Sequence, residues 1–418
     1  MNQNYLICSL GSVISLNPSS INKDYPYKEI EYIDISSVGN GILNNTTIYD
    51  IHNAPGRAKR LVLNGDTILS TVRPNRRSFF YIKNPKINMV VSTGFAVLRP
   101  SDKIDLRFLY YTVTNQSFTD YLSVNAKGSA YPAVDTDTIA RAQIKLPLLS
   151  IQHKIASVLS TYDDLIENNT RRIKILEEIA QTIYCEWFVK FRFPGHEKVK
   201  MVDSPMGKIP EGWEVKKLGD VCKVIPGYAF KSKYWRKEGT PVIKIKNIND
   251  DNTINIEEVD YVPPEIIKTN LKKYFIKTGD MLIAMTGATA GKIGKFRSRT
   301  QMLLNQRVAK IVPEFNYYEF IYYKISNEES QKRFFALADG AAQPNMSGSQ
   351  IENITLILPP LRLSNYFSDI VRDLISEVDN LFFRNMNLRR TRDLLLPKLI
   401  SGELNVSDID IKVNGLDE

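Results

Sequence analysis

Cysteine and histidine are scarce in this sequence: three of each occur in 418 residues, Cys8, Cys185 and Cys222, and His52, His153 and His196. They are far apart and odd in number, which argues against a disulfide framework or a zinc cluster. Long apolar runs are also missing. None approaches the roughly 18 residues that a bilayer-spanning helix needs, so no membrane partner is expected. The opening MNQNYLICSLGSVISL has neither the basic start nor the cleavage site of a signal peptide. A cytoplasmic location is the expectation.

The signatures of catalysis are absent as well. GATAGKI, from Gly287, has three residues between its glycines where a phosphate loop has four, and Ile293 stands where a magnesium-holding Ser or Thr would be. There is no Asn-Pro-Pro-aromatic motif for methylating a flipped-out amino group, no glycine-rich cofactor loop and no Gly-x-Ser-x-Gly elbow. DIDIK at Asp408 has the look of half a nuclease site, but it lies in an acidic tail and reads as solvated surface. The chain is therefore expected to carry no catalytic residue, no metal ligand and no cofactor of its own.

What is present is positive charge and repetition. Lysine and arginine outnumber acidic residues to give a net charge of +9, which favours a polyanionic partner such as nucleic acid. GSAYPAVDTDTIARAQIKLPLLS, from Gly128, returns as GAAQPNMSGSQIENITLILPPLR, from Gly340, with Gly, Ala, Pro, Ile and Leu-Pro-x-Leu repeating 212 positions on. LVLNGDTILSTV pairs with YFIKTGDMLIAM at an offset of 214, and LGSV at Leu10 with LGDV at Leu218 at 208. Two copies at this period mean a tandem pair of domains and not a solenoid.

After each Leu-Pro comes a long helical seam, apolar every third or fourth residue. The first runs through Leu159, Ile166, Asn169, Ile173 and Leu176, the second through Val371, Leu374, Val378, Leu381, Asn385 and Leu388. A polar residue inside such a seam sets register and partner, which Asn169 and Asn385 are placed to do. Arg392, near the end of the second seam, is expected to snorkel to solvent. Pro194 and Gly195 stop the first helix, while Pro397 and Gly402 bend or end the second. The remainder reads as short strands with turns.

The expected fold is α+β: two globular β-rich heads separated by two long antiparallel α-helices, a coiled-coil spacer, in a pseudo-two-fold internal repeat. The expected boundaries are 1–148 for the first head, 149–190 for the central helix, 191–361 for a linker and second head, 362–402 for the C-terminal helix and 403–418 for a tail.

Basic and polar residues cluster with aromatics in the loops of both heads. Arg57, Lys59, Arg60, Arg73, Asn75, Arg76 and Arg77 do so in the first, and Tyr228, Phe230, Lys231, Lys233, Lys292, Lys295, Arg297, Asn305, Gln306 and Arg307 in the second. Arginine and lysine neutralise phosphates or read guanine, and Asn and Gln pair with adenine, so these are the candidate DNA contacts.

The two halves, the opening IPEGWEVKKLGDV of the second unit, GYAFKSKYW, the paired Gly-Asp strands, the two G-x-A-x-P to Leu-Pro connectors, LEEIAQTIYCEWFVKFRFPG and TRDLLLPKLISGEL together resemble specificity subunits of Type I restriction-modification systems. The resemblance implies a non-enzymatic reader of double-stranded DNA whose two target recognition domains bind the unlike halves of a bipartite target, with the helices as a ruler. It also implies two methylation subunits and restriction subunits as partners, carrying S-adenosylmethionine, ATP and Mg. An alternative is a coiled-coil structural or interaction protein whose heads bind protein or glycan.

Overall fold

The computed structural model describes residues 5–338 and 345–410. Gly340, Ala342 and Pro344 of the second connector, and the tail from residue 411 onward, lie outside the described residues. The chain divides into two compact units, Met1–Thr170 with Phe383–Glu418, and Arg171–Phe382. Among the described residues, no helix is long and apolar enough to cross a membrane.

The first unit is made of short strands in which β-branched and aromatic residues alternate with polar ones, the pattern of half-buried sheet. Strands β1 (Leu6–Ser9), β2 (Ile14–Leu16), β3 (Glu29–Ile33), β4 (Thr47–Asp50), β5 (Ala58–Leu61), β6 (Thr67–Ser70), β7 (Phe79–Tyr81), β8 (Met89–Ser92) and β9 (Phe95–Pro100) precede helices α1 (Leu106–Thr114), α2 (Gln116–Asn125) and α3 (Thr136–Arg141). Strand β10 (Gln143–Leu146) then leads into the long helix α4 (Leu149–Tyr184). The sheet orders are β2-β9-β6-β7 and β4-β3-β8-β5, and β1 pairs with β10. All pairings are antiparallel except β3 with β8.

The second unit has a hairpin of its own, β11 (Met201–Ser204) and β12 (Gly207–Pro210), and then repeats the first. Its strands are β13 (Glu214–Lys217), β14 (Cys222–Pro226), β15 (Thr240–Ile243), β16 (Asp260–Val262), β17 (Phe275–Ile276), β18 (Met281–Ala284), β19 (Ile293–Lys295), β20 (Met302–Leu304) and β21 (Val308–Pro313). Helices α5 (Tyr318–Ser326), α6 (Glu328–Ala336) and α7 (Gly348–Glu352), strand β22 (Thr355–Leu358) and helix α8 (Leu361–Ser401) follow. The sheet orders are β14-β21-β18-β19 and β16-β15-β20-β17, with β13 on β22: the first unit's orders with every strand number raised by twelve. The single parallel pair recurs too, as β15 with β20.

The repeated motifs have repeated causes. A Cβ on Gly11 would lie 2.9 Å from the Cβ of Ala140 on α3, and one on Gly219 would lie 2.9 Å from the Cβ of Glu352 on α7, so each Leu-Gly lets a turn close on the small helix. Each Gly-Asp is a turn with the glycine left-handed, φ +90 at Gly65 and +96 at Gly279, a region favouring glycine. The aspartate caps it by accepting the backbone N–H of Leu63 at 2.7 Å or of Lys277 at 2.9 Å. A cation on the neighbouring strand completes both, Arg99 on Asp66 at 2.7 Å and Lys310 on Asp280 at 3.5 Å.

The two long helices start at equivalent places, Leu149 and Leu361, although Gln152 and Ser364 differ at the fourth residue. Both side chains are buried and satisfied: Gln152 donates to the carbonyls of Pro147 and Lys103, and Ser364 to that of Asn316. At 36 and 41 residues they extend about 54 and 62 Å at 1.5 Å per residue. Helix α4 runs on into one π-helical stretch, Cys185–Val189, before Pro194. Helix α8 does not stop at Pro397 but passes through it to Ser401, and Gly402 at φ +77 follows.

Within the first unit α4 and α8 run antiparallel. Leu159 and Ile166 are buried, and Asn169 donates to the Asn385 side-chain oxygen at 2.9 Å while Asn385 donates to Thr170 at 3.2 Å. Arg392 does not snorkel. It reaches Asp163 at 2.5 Å and Asp393 at 2.8 Å, because Asp163, which also accepts the Tyr111 hydroxyl, offers it a half-buried carboxylate. Within the second unit the helices are again antiparallel, with Val371, Val378 and Leu381 buried, Ile173, Leu176 and Leu374 half-buried, and Arg172 on Glu377 at 2.9 Å. Leu388, on the first unit's part of α8, is half-buried.

Candidate nucleic-acid interface

In the first head three segments distant in sequence meet. The turn after β6 closes on the turn between β8 and β9, where the Thr71 N–H donates to the Gly94 carbonyl at 2.9 Å. It also closes on the connector, where the Arg73 N–H donates to the Pro132 carbonyl at 2.7 Å and Val72 bridges Ala133. The β8–β9 turn holds the basic strand: Thr93 donates to the Arg57 carbonyl at 2.8 Å, and the Arg60 guanidinium donates to the Phe95 carbonyl. Arg57, Arg60, Arg73, Asn75, Arg76 and Arg77 are thereby gathered around one turn. Arg57, Asn75 and Arg76 are exposed, and so is Lys59, on the same strand as Arg60.

The connector is stiffened beneath this rim. Asp135 caps α3, and hydrogen bonds from the Thr138 side chain and N–H hold its carboxyl down at about 2. Lys127 approaches it at 3.4 Å. The connector also brings Tyr131, 54% exposed, whose ring lies 4.7 Å under the Arg73 guanidinium. Tyr131 belongs to a repeated motif that reads in sequence only as a scaffold link, and the long separation from Arg73 hid the contact. Arg77 is committed elsewhere, donating to Gln116 at 2.8 Å and to the Thr114 carbonyl at 2.9 Å, so it holds the turn against α1 and α2.

The second head assembles the same three segments. Met285 donates to the Arg307 carbonyl, Thr286 bridges Asn345, and Met346 donates to the Met285 carbonyl. Tyr228 bridges Asn305, and the Gln306 N–H donates to the Tyr228 carbonyl at 2.9 Å. A Cβ at Gly227 would lie 2.2 Å from the Asn305 carbonyl oxygen, so only glycine lets these chains approach. Gln306 and Arg307 are exposed at this rim, Asn305 and Tyr228 half-buried, and Lys231 and Lys233 stand exposed on the neighbouring loop. Trp235, which sequence reading passed over, stacks under Lys244 at 3.3 Å.

Four expected contacts in the second head are used inside the unit. Phe230 is 8% exposed and packs with Val242, Val262, Leu271 and Leu303, because the loop after β14 turns its ring into the core. Lys292 pairs with Asp250. Lys295 and Arg297 are 3% and 5% exposed, and Arg297 binds Asp379 of α8 at 2.7 Å and Glu177 of α4 at 3.4 Å. Burial lowers the Lys295 ammonium below the ordinary lysine value, against the pull of Asp379. These two cations fasten the head to its helices and do not face a ligand. Among the described residues, no group of three or more His, Cys, Asp or Glu is arranged to hold a metal.

A family model described as the type I restriction modification DNA specificity domain matches residues 3–178 and 210–379, one match in each half. The MjaIX type I restriction enzyme specificity subunit of Methanocaldococcus jannaschii is 30% identical over 352 residues, 82% of this chain and 78% of the relative. The HindI specificity subunit of Haemophilus influenzae is 26% identical over 459 residues, 95% of this chain and 98% of the relative. In fold, the chain is similar to the crystal structure of a type I restriction-modification system S subunit from M. genitalium, with a TM-score of 0.53 at 18% identity over 96% of each chain. Two matched domains over most of the length, each with the same strand order and each carrying basic loops, lead to one conclusion: the chain belongs to the family of type I restriction-modification specificity subunits.

Proposed function

We propose that this chain is the non-catalytic DNA reader of a type I restriction-modification assembly, working in the cytoplasm, and that each head binds one half of a bipartite, asymmetric target. The observation that carries this reading is that one architecture is used twice with two different rims. The same pair of turns and connector present arginines and a stacked tyrosine in the first head, and Tyr228, Asn305, Gln306 and Arg307 in the second. Equal folds with unequal donor sets suit two unlike half-sites in the major groove. The long helices supply surface for two methylation subunits, and restriction subunits complete the assembly. Methyl transfer and ATP hydrolysis, with S-adenosylmethionine, ATP and Mg, then belong to those partners.

Exchanging residues 1–145 for the corresponding segment of another family member tests this directly. Methylation mapping of the resulting complex is expected to change one half-site and keep the other. A target altered in both halves, or in neither, would refute the division of labour.

A further inference from the structure

The turns that follow β6 and β18 share a backbone and differ in what sits at its two left-handed positions. In the first head these are Arg73 at φ +48 and Arg77 at φ +54, flanking the turn Pro74–Arg76. In the second they are Gly287 at φ +73 and Gly291 at φ +85, each 214 positions on. Glycine takes this conformation without the Cβ clash that an arginine suffers. The second head therefore shows that the turn closes on glycines, and the first carries arginines there at a steric cost.

For Arg77 the compensation is internal. Its guanidinium ties the turn to Gln116 and to the Thr114 carbonyl and lies 5.6 Å from the Phe79 ring. For Arg73 it is not. Its guanidinium makes one long contact to the Ala130 carbonyl, 3.5 Å, and stacks on Tyr131, a half-exposed ring. Strained residues over-determined by their surroundings cluster where a ligand is bound. A guanidinium stacked on an aromatic face keeps its in-plane donors, and the in-plane fork is what matches the O6 and N7 edge of guanine. The backbone behind it is pinned by the Arg73 to Pro132 hydrogen bond and the Val72–Ala133 bridge, so the fork is carried on a fixed base.

Building on the reading of the heads as half-site binders, we infer that Arg73 is a specificity-determining residue that reads a guanine in the first half-site, with Tyr131 as its platform and Arg77 as a positioning residue. The second head has Gly-Ala-Thr-Ala-Gly across the same turn and no cation in it. At the corresponding place the second half-site is met by backbone and by Thr289, and the two half-sites differ there.

The test uses the whole chain assembled with its methylation subunits, on a DNA library randomised across the target, comparing wild type with Arg73→Lys and Arg73→Gly. Wild type is expected to require guanine at one position of one half-site. Lysine keeps the charge and loses the bidentate fork, so both variants should lower that preference by on the order of ten- to a hundred-fold. The other half-site should be unchanged. Arg73→Gly should melt no lower than wild type, since the second head holds glycine at this position, and Arg73→Lys provides the readout should the glycine variant fold poorly. Retention of the full guanine preference by either variant would mean that the Arg73 fork is not what reads the guanine and would overturn the inference. So would a wild-type target without a guanine in the first half-site. A wild-type assembly that methylates no bipartite sequence would overturn the reading of the heads themselves.

Discussion

The two heads are fastened to their helices by equivalent cation–carboxylate pairs in two different electrostatic settings. Lys83 faces Glu167 of α4 at 3.6 Å in the first unit, and at the equivalent place after the paired strand Arg297 binds Asp379 of α8 at 2.7 Å in the second. Tandem tyrosines recur on the helix that follows each head's strands, Tyr110 and Tyr111 in α1, Tyr322 and Tyr323 in α5. Yet Lys83, Asp164 and Glu167 are all roughly half exposed, while Arg297 is 5% exposed, reaches both helices and is joined on Asp379 by Lys295, 3% exposed. The helix ends differ in the same sense. In the second unit Tyr184, Trp187, Phe188 and Phe367 form an aromatic knot, and the equivalent corner of the first holds Leu396, Leu399, Ile400 and Ile155. One architecture thus supports a dry, directional joint in one copy and a wetter, aliphatic one in the other.

The sharpest way to break that comparison is to remove the cations. Arg297→Met leaves Asp379 and Glu177 facing a buried gap and should cost about 3 kcal/mol, read from denaturant unfolding. Lys83→Met should cost under about 1 kcal/mol, because its pair is screened by water, and 1 M salt should shrink that further. Equal losses would mean that the two joints are energetically alike.

A smaller effect separates the seams. The repeat equivalents of Asn169 and Asn385 are Leu381 and Ile173, so only the first unit's seam carries the amide pair. Asn385→Leu should cost about 1 to 2 kcal/mol by orphaning Asn169. Adding Asn169→Leu should recover most of it, and a double variant as unstable as the single one would show that the amides do not act as a pair.

The smallest effect is chemical. Cys222 opens β14 where the first head has Ile14 at the start of β2, and burial, reinforced by Glu314 and Glu352, pushes its thiol up to about 12. At pH 8 the folded protein should hold almost no Cys222 thiolate, so a maleimide should modify that thiol only on unfolding. Rapid labelling of Cys222 in the native protein would contradict the burial.

The duplication was legible in sequence because each shared motif answers a local need that both copies have: a Cβ-free approach at Gly11 and Gly219, a left-handed turn at Gly65 and Gly279, a Leu-Pro entry to each long helix. The rim was legible only in part. Runs of arginine and aromatics mark the loops, but whether a cation faces solvent depends on partners far along the chain. Arg297 and Asp379 are 82 residues apart, and no local pattern distinguishes Arg297 from Arg73. The stacking of Arg73 on Tyr131 was hidden for the same reason, while the Phe230 error has a nearer cause: an aromatic beside lysines reads the same whether it faces core or ligand.

The unequal placement of the two asparagines also decides which helix may lie beside which. Were α4 to pair antiparallel with α4 of a second copy in the same alignment, Asn169 would meet Ile173 twice over, and α8 against α8 would set Asn385 on Leu381. Each such meeting strands an amide against hydrocarbon, costing about 1 to 3 kcal/mol. A chain built from two near-copies of itself invites self-association, and two misplaced amides discourage it, favouring a molecule that closes on its own other half.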